Sequence, residues 1–294
     1  MLRDFTPDDV ARVRALTDEI ETATGIVPLG DDAWTGMHAA NGRDLGLLDA
    51  SGDAYVHLAH HHVREWSLEL AVRPGSANRR DDLLPRGLEL VRDHGGGHVT
   101  YWIHGAGDED DAVARAVGFG LERELLQMRV ALPLPDPPHW PEDVTVRTFV
   151  PGRDEAAWVE VNNRAFAGHP EQGAWTVDML LAREQEPWFD PDGFLLAFDA
   201  DGLAGSCWTK LHPAQPPREP DALGEIYVIG ADPSRHGRGL GRALTAGGLA
   251  SLAARGVTVG MLFVDAANAA AVGLYRALGF VTTRTDRAYG LEVG

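Results

Sequence analysis

The sequence predicts an α/β chain with a mixed sheet of the α+β kind, arranged as two tandem domains on one plan. Three observations carry this. The apolar run Gly224-Glu225-Ile226-Tyr227-Val228-Ile229-Gly230 leads through His236-Gly237-Arg238-Gly239-Leu240-Gly241 into an Ala- and Leu-rich segment ending at Arg255-Gly256. That is a buried strand, a glycine-rich turn and a helix. After a proline-dense stretch, residues 132–141, the order of strand and helices begins again. Short motifs also recur at a spacing of roughly 160 residues, the mark of an internal repeat. Ala116-Val117-Gly118-Phe119 answers Ala277-Leu278-Gly279-Phe280, and Leu70-Ala71-Val72-Arg73-Pro74 answers Ile229-Gly230-Ala231-Asp232-Pro233.

Each element has its own local signal. Thr6 stands before Pro7, Asp8 and Asp9, and Val10, Val13, Leu16 and Ile20 follow at helical spacing. A helix therefore starts there with a side-chain cap and a proline in its first turn. Asp31 and Asp32 are placed to cap a second helix around Trp34 and Met37. Residues 45–49 and 54–59 flank Ser51-Gly52-Asp53, a hairpin signal. A strand at 66–72, a helix over 81–93, a strand at 99–103, a helix over 112–117 and a strand at 125–132 complete a first domain, 1–132. Residues 133–143 form a linker, a semi-rigid spacer because proline fits neither a sheet nor a helix interior. The second domain, 144–294, reads as a strand at 144–149, helices at 154–166 and 176–184, and strands at 194–198 and 203–211. The strand–turn–helix follows, then a strand at 257–264, a helix at 267–278 and terminal strand material.

Composition narrows the function. The 294 residues are 44% hydrophobic and 24% charged, the balance of a soluble globular chain with sizeable cores. A formal charge of −18 excludes nonspecific nucleic-acid binding, which needs a basic face, but leaves room for a local cationic pocket. The single cysteine, Cys207, rules out an internal disulfide framework and sits in an apolar run as an inert core thiol. No basic leader opens the chain and no apolar run approaches ~20 residues, so a cytoplasmic protein without a membrane partner is expected, as a monomer. His60-His61-His62 has metal-ligand residue types, but adjacent side chains on a strand point to opposite faces. It is read as a solvated edge, and no metal is expected.

The glycine-rich turn is an anion site. Glycines let backbone approach a phosphate, and the unpaired N–H groups of the first helical turn point at it with the helix dipole behind them. Arg235, Arg238 and Arg242 add positive charge. The N-terminal copy keeps Arg79 and Arg80 but loses the spaced glycines, Ala114 stands where the second half has Tyr275, and Gly107 stands for Asn268. The first half therefore reads as a duplicate without the reactive groups.

The order of elements in 144–294, the turn from His236 to Gly241, and Asn268 through Tyr275 to Leu278-Gly279-Phe280 resemble the GNAT acetyltransferase superfamily. His236 departs from that family's pattern, which has Gln or Arg there. The tandem arrangement is similar to the mycothiol synthase family within it. The matching segments are Val161-Asn162-Asn163-Arg164-Ala165-Phe166 with the following loop, Glu186-Pro187-Trp188-Phe189, Trp208-Thr209-Lys210-Leu211-His212 and Gly224-Glu225-Ile226-Tyr227-Val228.

The resemblance implies acetyl transfer from acetyl-CoA to the cysteinyl amine of desacetylmycothiol, a small-molecule substrate. It implies Glu225 as general base and Tyr275 as the acid that protonates the leaving sulfur. Acetyl-CoA would be held by Ile229, Gly230, Ala231, His236, Gly237, Arg238, Gly239, Leu240, Gly241, Arg242, Asn268, Ala270, Ala271 and Gly273. The acceptor would meet Asp31, Glu171, Lys210, Glu225 and Phe263, the last standing where the family can carry Tyr. Two alternatives are a tandem acetyltransferase for another small amine, such as an aminoglycoside, and a noncatalytic acyl-CoA sensor. Retention of Glu225 and Tyr275 beside an intact turn argues against the sensor.

Overall fold

The computed structural model describes residues 5–39, 44–62, 64–167, 173–214, 216 and 221–294. The chain divides into two compact units. One comprises residues 1–126, 265–267 and 284–294, and the other residues 127–264 and 268–283.

In the first unit, α1 (Pro7–Thr24) begins as its residues demand: Thr6 and Asp9 form a reciprocal capping box, and Gly25 closes the helix in the left-handed region at φ 72°. Next come α2 (Asp31–Ala39), β1 (Leu45–Leu48), β2 (Ala54–His62), β3 (Glu65–Val72), α3 (Ala77–Asp93), β4 (Gly97–Ile103), α4 (Asp108–Val117) and β5 (Gly120–Ala131). β1 and β2 form the expected antiparallel hairpin, β2 pairs antiparallel with β3, and β3 runs parallel to β4. Helix α3 starts four residues before its expected position at 81, and Pro85 lies inside it. It stands mid-helix, so it removes one backbone hydrogen bond without ending the helix. One core packs α3 on β2 and β3 through Leu83, Leu84, Leu88 and Val91. A second packs α1 and α2 through Val13, Leu16, Ile20 and Met37.

The second unit repeats this plan with β6 (Thr145–Thr148), α5 (Glu155–Ala165), α6 (Val177–Glu184), β7 (Phe194–Asp199), β8 (Gly202–His212), β9 (Leu223–Ala231), α7 (Leu240–Ala254), β10 (Val259–Asp265) and α8 (Ala269–Ala277). β6, β7, β8 and β9 pair antiparallel in sequence, and β9 pairs parallel with β10. Trp158 of α5 donates its indole N–H to Ser206 at 2.9 Å and packs on Phe194 and Trp208 in an aromatic core.

Two features of chain path differ from the sequence reading. The division between units falls inside β5, ahead of the proline-rich linker, and that linker is more than a spacer. Trp140 lies on Gly247 of α7 so closely that a Cβ there would come within 2.6 Å of the indole. A tryptophan in a connector needs a place to bury its ring, and the missing side chain at Gly247 provides it. The last strand, β11 (Val281–Val293), also changes unit: Arg287–Val293 pairs antiparallel with β4, and Tyr289 and Val293 join the first unit's core.

Candidate active site

The site grows from β9. On one side its ladder with β8 is complete from His212 opposite Leu223 to Gly205 opposite Ala231, apart from a bulge. Trp208 faces Val228 and Thr209 faces Ile226, so Tyr227 is the extra residue. Such bulges re-aim neighbouring side chains. On the other side, β9 and β10 are in register only from Leu223–Val259 to Ile226–Leu262. Both strands continue past that point, so they part into a cleft. Backbone groups of β9 between Tyr227 and Ala231 that face this opening have no strand partner there. Ile229, Gly230, Ala231 and, across the opening, Phe263 lie along it.

Beyond β9 the turn is built from a short 3₁₀ turn, Pro233–Arg235, whose start is capped by Asp232 accepting the Ser234 amide at 2.9 Å. Bonds from the Ser234 hydroxyl and amide and from Arg164 hold the Asp232 carboxyl down at about 2. Gly237 (φ 79°) and Gly239 (φ 80°) both take the left-handed conformation that other residues pay to adopt. A Cβ on either would meet nothing within 4 Å, so the turn borders open space at the N-terminus of α7. That is the form an anion cradle needs, and Leu240 and Gly241 present the first helical amides to it.

The three arginines divide. Arg235 is fixed to Asp199 at 2.6 Å and to Asp201 at 3.3 Å, which makes it a brace of the turn. Arg238 bonds Asp143 and lies 3.5 Å from Asp199. Arg242 is exposed and has no ion-pair partner among the described residues. His236 is exposed, with Nε2 3.2 Å from the Ala231 carbonyl oxygen. Beside the turn lies a cavity of 560 Å³, lined among others by His139, Trp140, Arg238, Arg242 and Leu278.

On α8, Asn268 caps the helix by accepting the Ala271 amide at 3.1 Å. Ala270 and Gly273 are exposed on its first turns, and Ala271 is half-buried. Tyr275 is 7% exposed and packs on Phe280 with ring centroids 5.7 Å apart. Burial, reinforced by Cys207, pushes its phenol up to about 12. Cys207 is fully buried, and burial raises its thiol to about 12 as well, so it is the inert core thiol expected.

Glu225 is 8% exposed, and its Oε2 lies 2.7 Å from His212 Nε2. Lys210, opposite Glu225 in the ladder, places its ammonium 4.6 Å from the Trp188 ring centroid and 5.6 Å from that of Tyr227. Glu225, Lys210 and His212 are thus gathered at one end of the β8–β9 ladder. Sequence reasoning gave His212, Trp188 and Tyr227 no role. The i, i+2 spacing of Lys210 and His212 on a strand was the available signal, since it sets both on one face. Asp31 opens α2, and its side chain lies outside the described residues, as does the whole of Glu171. His60 stacks on Trp66 at 4.4 Å and His61 lies 2.8 Å from the Ser67 hydroxyl, while the side chain of His62 is outside the described set. Among the described residues, no group of three or more His, Cys, Asp or Glu is placed to hold a metal, and no helix is long and apolar enough to cross a membrane.

The Acetyltransferase (GNAT) family matches residues 157–280. The mycothiol acetyltransferase of Thermobispora bispora is 45% identical over 97% of this chain and 96% of its own length. That of Thermomonospora curvata is 42% identical over 97% and 94%. Among solved structures, a GCN5-related N-acetyltransferase from Sphaerobacter thermophilus superposes with a TM-score of 0.76 at 24% identity, covering 99% of this chain and 95% of that one. A tandem GNAT protein from the clavulanic acid biosynthesis pathway gives 0.71 at 16%, covering 100% and 97%. These two establish the tandem fold alone. With two-fifths or more of its residues shared across nearly its full length, the chain belongs to the mycothiol acetyltransferase family of GNAT N-acetyltransferases.

Proposed function

We propose that the protein transfers the acetyl group of acetyl-CoA to the cysteinyl amine of desacetylmycothiol, the last step in making mycothiol. The observation that carries this is the alignment of cradle, cleft and buried carboxylate along one strand of the second unit, in a chain of this family. GNAT acetyltransferases use acetyl-CoA, and the open space at Gly237 and Gly239 leaves room for a pyrophosphate. Gly237, Gly239, Leu240 and Gly241 would hold it by backbone N–H groups, with Arg238 and Arg242 at its edge and the adjoining cavity taking the nucleotide end. Asn268, Ala270, Ala271 and Gly273 would form the opposite wall.

When bound, acetyl-CoA supplies the thioester carbon to be attacked. Glu225 then takes the proton the acceptor amine loses as its nitrogen bonds to that carbon. Free backbone N–H groups near Ile229–Ala231 stabilise negative charge on the carbonyl oxygen without spending a side chain. As the C–S bond breaks, Tyr275 gives its proton to the sulfur; a phenol held near 12 keeps that proton at neutral pH. Lys210 and Phe263 line the acceptor side; the family resemblance also names Asp31 and Glu171 for the acceptor. Incubation with acetyl-CoA and a panel of amines, following loss of the thioester, tests the assignment. The cysteinyl-glucosaminyl-inositol is expected to turn over fastest, an equal rate with an aminoglycoside overturns the acceptor, and no turnover with any amine favours an acyl-CoA sensor.

A further inference from the structure

We infer that His212 is the positioning residue for the Glu225 carboxylate, an inference that rests on the reading of Glu225 as base. A carboxylate this deeply buried requires a hydrogen-bond partner. The residue directly opposite in the ladder, Lys210, does not provide one, because its ammonium is held over the Trp188 and Tyr227 rings. His212 pairs with Leu223, two residues before Glu225, and its imidazole reaches the carboxylate on the diagonal. Nε2 and Oε2 are 2.7 Å apart. An ionised carboxylate only accepts, so Nε2 carries the hydrogen.

The consequence is a division of labour between the two oxygens. Oε2 is fixed by His212, the one hydrogen-bond partner of this carboxylate among the described residues, and Oε1 is left to receive the amine proton. The His212 side chain is 32% exposed against 11% for Glu225, so the imidazole is the more solvent-exposed member of the pair. A carboxylate without this restraint would rotate, or swing to the lysine across the ladder, and lose its aim at the acceptor.

Steady-state kinetics of the full-length protein decides this. His212→Ala should lower kcat by roughly tenfold or more, the worth of one charge-assisted hydrogen bond, while KM for acetyl-CoA and the melting temperature stay near wild type. His212→Gln keeps an N–H donor at a similar reach and should recover most of kcat. In a Glu225→Gln background, His212→Ala should add no further loss, because the two act as one unit. Wild-type kcat in the alanine variant, equal losses in Ala and Gln, or losses that multiply in the double variant would each overturn the role. If Glu225→Gln alone keeps wild-type turnover, the base reading itself fails, and the single variants at His212 are then read apart from it.

Discussion

The two strand–turn–helix copies share a frame and differ where a ligand would sit. β3 and α3 are joined by residues 73–76, whereas β9 and α7 are joined by residues 232–239, twice as long. The first connector has one left-handed glycine, Gly75; the second has Gly237 and Gly239. The arginines that follow are used differently. Arg79 lies 3.6 Å from Asp49 and Arg80 2.8 Å from Asp110, whereas Arg242 on α7 keeps its charge unpaired among the described residues. The helices α4 and α8 end alike, with Gly118 (φ 103°) and Gly279 (φ 91°) followed by Phe119 and Phe280, each 3% exposed. Yet Ala114 is buried where α8 carries Tyr275. The helix ends agree between the copies, and the connectors and the positions that would do chemistry do not.

Four measurements would break or sharpen that contrast. Glu225→Gln should reduce turnover by about 10²–10⁴-fold with acetyl-CoA binding unchanged, the range expected for loss of a general base. Tyr275→Phe should slow turnover by roughly 10²-fold, at the low end of that range because a thiolate leaves readily; weaker cofactor binding with unchanged kcat would recast it as a packing residue. Asp232 has no acidic counterpart in the first copy, where Arg73 stands. Its folded carboxyl is lowered by Ser234 and Arg164 to about 2 from an ordinary value of 3.8. Its contribution, roughly 2 kcal/mol, is present above pH ~4 and lost as pH falls towards ~2. Acid unfolding of Asp232→Asn should therefore be flatter over that window, and superimposable curves would remove Asp232 as a support of the turn. Gly118→Ala and Gly279→Ala should each cost about 1–2 kcal/mol in denaturant unfolding, since both demand a left-handed alanine. A loss at one site alone would mean the helix ends are not equivalent.

Local grammar was legible in the sequence. Thr6-Pro7-Asp8-Asp9, the spaced glycines and the Gly279-Phe280 helix end each declare themselves within a few residues, and each is built as read. What escaped was contact at long separation. Arg235 reads in the sequence as positive charge added to the anion site, because its partner Asp199 lies 36 residues away on β7 and no periodicity links them. Trp140 looked like linker because the notch at Gly247 is visible only when α7 is in place. His212 and Glu225 are 13 residues apart on neighbouring strands, and nothing in their spacing fixes the register in which β8 meets β9.

The passage of residues 284–294 into the first unit has a bearing on how the protein is made. A ribosome releases β4 long before it releases Arg287–Val293, the segment that pairs with it and brings Tyr289 and Val293 to the core. The half that is synthesised first is therefore the half that must wait. Until that segment is made it lacks a strand, and an N-terminal fragment cut at the linker would keep that gap permanently.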